Sequence, residues 1–123
     1  MFKINMQVRD YECDLQGIVN NAVYMNYLEH ARHEFLLDNN VNFVELSQQG
    51  IDLVVVKAEI EFKKSLKPAD KFYVTILAKL DGRVRMKFIQ NIFLEDGTLI
   101  VSATITGVVT KNGRPIKPNL GFL

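Results

Sequence analysis

Hydrophobic positions along the chain change their period twice. Phe2, Ile4, Met6 and Val8 alternate with Lys3, Asn5, Gln7 and Arg9, the spacing of a half-buried strand. From Tyr24 the spacing lengthens: Tyr24, Leu28, Ala31 and Phe35 recur at helical intervals and share one face, with Tyr27 beside them. Glu29, His30, His33 and Glu34 fall outside that stripe, as on an amphipathic helix. Asn20 and Asn21 are residue types that cap a helix start, and Asn39-Asn40 can supply the left-handed conformation that closes one. A further short helical turn is expected over Val41 to Gln49, stopped by Gly50.

Alternation returns from Ile51. Ala58, Ile60 and Phe62 form one apolar face. A turn at Lys67-Pro68-Ala69-Asp70 precedes Phe72, Val74, Ile76, Ala78 and Leu80; Val84, Met86 and Phe88 follow, then Leu99, Val101, Ala103, Ile105, Gly107 and Val109. Asp81-Gly82, Asp96-Gly97 and Asn112-Gly113 separate these runs, and such dipeptides are strong hairpin signals. The pattern predicts an α+β domain over residues 1–123: an N-terminal strand, one long helix, then a four-stranded antiparallel meander. The helix stripe needs an apolar partner, and a sheet curling round it is the simplest one. Val54, Val55 and Val56 are consecutive, so apolar side chains point both ways there, which predicts cover on a second face or at an edge.

Composition changes this picture little. The chain of 123 residues is 48% hydrophobic and 24% charged, with net charge +1, ordinary for a globular domain that buries a core. Residues 1–50 hold three Lys/Arg against seven Asp/Glu, and residues 51–123 hold twelve against seven. One cysteine, Cys13, excludes an intramolecular disulfide and any multi-Cys metal site. No apolar run has the length of a signal peptide or a membrane span, so a cytoplasmic protein is expected.

The chemistry concentrates between Asp10 and Phe35. Asp14 precedes a turn at Gly17 and, a few residues later, the first unpaired N–H groups of the helix. A carboxylate there sits by the positive end of the helix dipole, beside donors suited to a developing oxyanion. A bare turn-stabilising role for Asp14 is the competing account.

The run Asp14-x-x-Gly17-Ile18-Val19-Asn20-Asn21-x-x-Tyr24-x-x-Tyr27-x-Glu29-x-Ala31-Arg32 resembles the signature of the 4-hydroxybenzoyl-CoA thioesterase-like family of hotdog-fold thioesterases. The resemblance covers essentially the whole chain. It implies a hotdog fold, a curved antiparallel sheet wrapped round one long helix, and hydrolysis of an acyl-CoA or acyl-carrier-protein thioester. Asp14 matches the catalytic carboxylate, and the backbone N–H of Asn21 the donor that polarises the thioester carbonyl. Gly17 lets the backbone approach the substrate. Many relatives carry a His where Ile18 or Asn21 stands, and this chain has neither. The resemblance also implies a homodimer or homotetramer with active sites between subunits.

Tyr24, with Val19 and Asn20 beside it, is expected at the substrate pocket, core packing being the alternative for Tyr24. Lys63, Lys64, Arg83 and Arg85 are candidates for a basic mouth that meets the phosphates of CoA. Glu29 and Arg32 have the spacing of an ion pair, read as structural. His30 and His33, with no further His, do not make a metal site, and no cofactor is expected. Two rival functions arise from other classes. The first is a non-catalytic module that binds single-stranded nucleic acid or an acyl-pantetheine: Lys71-Phe72-Tyr73 and Arg83 to Phe88 interleave bases and aromatics as single-strand binders do, against a nearly neutral total charge that makes nucleic acid an unexpected partner. A hotdog dehydratase or hydratase usually needs a His, and none precedes the helix.

Overall fold

The computed structural model describes residues 1–123. Strand β1 (Phe2–Gln7) leads through a short 3-10 turn (Asp10–Glu12) into α1 (Asn21–Asp38), followed by α2 (Phe43–Gln48) and strands β2 (Ile51–Phe62), β3 (Lys71–Asp81), β4 (Arg85–Leu94), β5 (Leu99–Lys111) and β6 (Arg114–Pro115). All ladders are antiparallel. This is the α+β, hotdog architecture: a curved sheet with one long helix against its inner face.

The glycine-containing turns set the neighbours β3, β4 and β5. Gly82 and Gly97 adopt positive φ in the two hairpin loops, and Asn112 and Gly113 do so before β6. Asp96 accepts from the Thr98 N–H at 2.8 Å and closes the second hairpin. The Thr98 hydroxyl first, then that N–H, holds its carboxyl below the usual carboxylate range.

One expectation is corrected. The strands after the helix do not form a four-stranded meander: the order across the sheet is β1-β3-β4-β5-β2. No hairpin turn joins β2 to β3. Residues 63–70 instead carry the chain from one edge of the sheet to β3, beside β1. They pass the start of α1, where the Val19 N–H donates to the Leu66 carbonyl at 2.9 Å.

The core forms between the inner face of the sheet and α1. Leu28 and Ala31 are fully buried, against Phe72, Ile76, Phe88, Ile92 and Ile105. Aromatic contacts fix the helix along its length: Tyr27 lies on Phe72 at 4.7 Å between ring centroids, and Phe35 touches Phe2, Phe88 and Phe122. α1 packs chiefly on β1 and β3, which leaves the inner face of β2 largely uncovered. A register shift between Val55 and Lys57 marks a bulge in β2. The extra residue switches the inward parity from Leu53 and Val55 to Ala58, Ile60 and Phe62, keeping both apolar sets on one face. No helix is long and apolar enough to cross a membrane.

Candidate active site

The loop that carries Asp14 is pinned at both ends. Cys13 and Val19 form an isolated antiparallel bridge. Inside it the Asp14 N–H donates to the Ile18 carbonyl at 2.9 Å, and the Gly17 N–H to the Asp14 carbonyl at 3.0 Å. Gly17 takes φ +75°, a conformation that glycine adopts without steric cost. The Asp14 Oδ1 accepts from the Gln16 N–H at 2.8 Å and, at 3.4 Å, from Ile18. These bonds leave Oδ2 free on an exposed side chain.

A second set of bonds joins this loop to the helix. The Glu12 carbonyl accepts from the Asn20 N–H at 3.1 Å. Its Oε1 accepts from the Tyr27 hydroxyl at 2.8 Å and from the Arg9 N–H at 2.7 Å. Burial first, then the bond to Glu12, pushes the Tyr27 phenol far above its ordinary range. Glu12 and Tyr27 were not singled out from sequence as partners; nothing local says that side chains fifteen positions apart will meet.

At the helix start, Asn20 acts as the cap. Its Oδ1 accepts from the Ala22 N–H at 3.0 Å, and its carbonyl accepts from the Val23 N–H. The N–H of Asn21 makes no hydrogen bond within the chain. Asp14 and this free donor therefore stand close in sequence on one braced element, and both residues are exposed.

Other candidates sit elsewhere. Val19, 2% exposed, belongs to the core rather than to a pocket wall. Tyr24 is equally buried, and its hydroxyl accepts from the Leu66 N–H at 2.9 Å. Of the two accounts of Tyr24, core packing describes the single chain. Asn20 likewise has a capping task. Lys63 and Lys64 both donate their N–H groups to the Ile100 carbonyl, at 2.8 and 3.2 Å, near the crossover that reaches α1. Lys63 is paired with Glu61 at 2.6 Å, which lowers the Glu61 carboxyl. Arg83 and Arg85 lie at the opposite end of the sheet: Arg85 is level with Val108 on β5, whereas Phe62 is level with Val101. That is roughly 20 Å along the strand, so one chain does not gather the four cations into one mouth.

Glu29 and Arg32 are not paired. Glu29 is 3.8 Å from His33, and Arg32 turns inward, its Nη1 donating to Gln90 Oε1 at 3.0 Å. Desolvation, followed by the field of Asp14, Glu12 and other nearby acids, raises the Cys13 thiol above its ordinary value, which disfavours a reactive thiolate. Phe72 and Phe88, two of the aromatics of the nucleic-acid reading, are buried at 1% and 0% exposure. They cannot stack bases.

A family model described as the thioesterase-like superfamily matches residues 8–119. The chain belongs to the thioesterase-like superfamily. It is 38% identical over 91 residues to the acyl-acyl carrier protein thioesterase ATL3 of Arabidopsis thaliana, an alignment that covers 74% of this chain and 48% of that protein. The chain thus spans about half the length of that relative. It is 33% identical over 105 residues to the long-chain acyl-CoA thioesterase FadM of Escherichia coli, covering 84% and 78% of the two chains. A crystal structure of a hypothetical protein from Aquifex aeolicus superposes with a TM-score of 0.90 at 30% identity, covering 97% of this chain and 94% of that one. These superfamily comparisons agree with the hotdog architecture described above.

Proposed function

We propose that this chain hydrolyses an acyl thioester of CoA or of acyl carrier protein, with Asp14 as the reacting carboxylate and the Asn21 N–H as the oxyanion donor. The observation that carries the reading is the uncommitted Asn21 N–H at the start of α1, on the same braced element as a carboxylate with a free oxygen. Membership of the thioesterase-like superfamily and the thioesterase activities for which ATL3 and FadM are named support it.

A thioester is already activated, because its leaving thiol has a pKa near ~8.5. The site has two tasks. The Asn21 N–H stabilises negative charge on the carbonyl oxygen as the carbon becomes tetrahedral. Asp14 either adds to that carbon, giving a mixed anhydride that water opens, or takes a proton from the attacking water. In both routes the carbon–sulfur bond breaks and the thiolate leaves. The bonds from Gln16 and Ile18 to its carboxylate limit the motion of Asp14, which lowers the entropy lost on reaching the reactive geometry.

Asp14 faces solvent in a single chain, so the pocket is completed by a second copy in this reading. β2 is a sheet edge with unpaired main-chain groups, and Val54, Val55 and Val56 are 45, 43 and 48% exposed on it. Pairing β2 with its counterpart in a homodimer covers both. Such edges otherwise invite aggregation.

The test is thiol release from a panel of acyl-CoAs by the parent, Asp14→Ala and Asp14→Asn. Both variants should lose about 10²-fold or more in kcat. Activity within a few-fold of the parent would remove Asp14 from the mechanism. Hydration of an enoyl thioester without thiol release would replace hydrolysis as the reaction.

A further inference from the structure

Glu12, two residues before Asp14, is the residue of this loop whose side chain is hydrogen-bonded to α1. That side chain is only 14% exposed, a position that a carboxylate tolerates where donors meet it. Two donors do so at one oxygen: Oε1 takes the Tyr27 hydroxyl at 2.8 Å and the Arg9 N–H at 2.7 Å. Oε2 has Arg9 Nη1 at 3.9 Å, on an exposed arginine side chain, and such a pair is worth little. The carboxylate is therefore committed to the fold and does not itself attack a substrate or take its proton.

Its partner on the helix is a fixed post. Tyr27 is 2% exposed, with its ring on Phe72 at 4.7 Å and edge-on to Tyr24 at 6.1 Å between centroids. The main chain of Glu12 has a second task. Its carbonyl accepts from the Asn20 N–H at 3.1 Å, and two residues along, the Asp14 N–H donates to the Ile18 carbonyl at 2.9 Å. These bonds flank the Cys13–Val19 bridge and make a short two-stranded ladder. Asp14 stands at its tip, and Asn21 follows its other strand into α1. Each strand has its own anchor: Val19 donates to the Leu66 carbonyl, and the strand that carries Asp14 has Glu12. The ladder joins α1 through the chain at Asn20. The Glu12–Tyr27 bond is a second attachment, about two turns into the helix, and it fixes the tilt of the ladder.

We propose that Glu12 is a positioning residue for thioester hydrolysis, setting through Tyr27 the separation between the Asp14 carboxylate and the Asn21 N–H. The role rests on the hydrolytic reading of those two groups. A reacting carboxylate and an oxyanion donor must meet at one carbonyl, and a displacement of about 1 Å can cost ~10²-fold in rate.

Thiol release from acyl-CoA, measured well below each variant's melting temperature, tests it on Glu12→Ala, Tyr27→Phe, the double variant and Glu12→Gln, with Asp14→Ala alongside. Glu12→Ala and Tyr27→Phe should each lower kcat about tenfold with KM within about twofold of the parent, because neither group touches substrate. The double variant should be no slower than Glu12→Ala, since both changes remove the same bond. Glu12→Gln, whose amide oxygen can take both donors, should recover most of the loss. A merely structural role lowers stability and leaves kcat alone, so kcat within about threefold of the parent in both single variants overturns the proposal. A raised KM at unchanged kcat overturns it by placing these groups on substrate. A Glu12→Gln as slow as Glu12→Ala does so by making charge the agent, and a double variant slowed by the product of both by showing two separate effects. Should Glu12→Ala fail to fold, Tyr27→Phe, which loses one oxygen, decides by the same limits. An inactive Asp14→Ala beside a fully active Tyr27→Phe removes only the positioning role. An active Asp14→Ala, or a parent that releases no thiol, removes the hydrolytic reading and this role with it.

Discussion

Tyr24→Phe separates a core tyrosine from a substrate contact. The substitution removes one oxygen and leaves the ring against Tyr27 and Phe62 at 6.1 and 5.6 Å. The hydroxyl is the acceptor for the Leu66 N–H, and Leu66 is fully buried, so its donor is left without a partner. Such a loss costs about 1–3 kcal/mol. With urea slopes of about 1–3 kcal/mol/M, the unfolding midpoint should fall by roughly 1 M. The melting temperature should fall by about 4 °C for each kcal/mol in a domain of this size. Because the crossover at Leu66 also accepts from Val19, the loop beside Asp14 loosens slightly. Turnover well below the melt should nevertheless stay within a few-fold of the parent. The assay is equilibrium urea unfolding at one fixed protein concentration, paired with thiol release. Stability within about 0.5 kcal/mol of the parent, together with a tenfold rise in KM, would show the hydroxyl facing ligand and refute the reasoning.

Three further outcomes are expected. For the proposed homodimer, Val55→Lys on the exposed edge strand should give a monomer by light scattering and lower thiol release by about tenfold or more, since in that reading a second copy completes the pocket at Asp14; an active monomer contradicts this. Thr106 is 1% exposed and its hydroxyl has no partner, so Thr106→Val should raise stability by about 1 kcal/mol, and a lower melting temperature would show that the hydroxyl is in use. The phenols of Tyr24 and Tyr27 are both raised, first by burial. A raised folded-state value means their contribution is complete below the unfolded phenol value near ~10 and declines as pH rises above it. Unfolding free energy should therefore fall above pH ~10, less steeply in Tyr27→Phe; an equal slope in that variant rejects the assignment.

Sequence fixes what depends on near neighbours. The α1 stripe, its Asn20 cap and the Asp14–Gly17 turn are each set by contacts a few residues apart, and so the helix start and the turn before it were legible. The hairpins at Gly82 and Gly97 were legible because only residues tolerant of positive φ close them cheaply. Even the Val56 bulge left a trace, in the change of parity between Val55 and Ala58.

Tertiary structure decided the rest. The place of β2 beside β5 rests on a ladder between strands some fifty residues apart, for which the linking residues 63–70 carry no local signal. Arg32 illustrates the point most plainly. Its spacing from Glu29 suits a surface ion pair, but the helix rotation that packs Leu28 and Phe35 turns it inward to Gln90 on β4. Tyr24 finds Leu66 and Tyr27 finds Glu12 in the same way, and the basic pairs at Lys63 and Arg83 are separated by the length of the sheet. Local spacing sets which face a side chain occupies; only the packing of distant segments sets what it meets there.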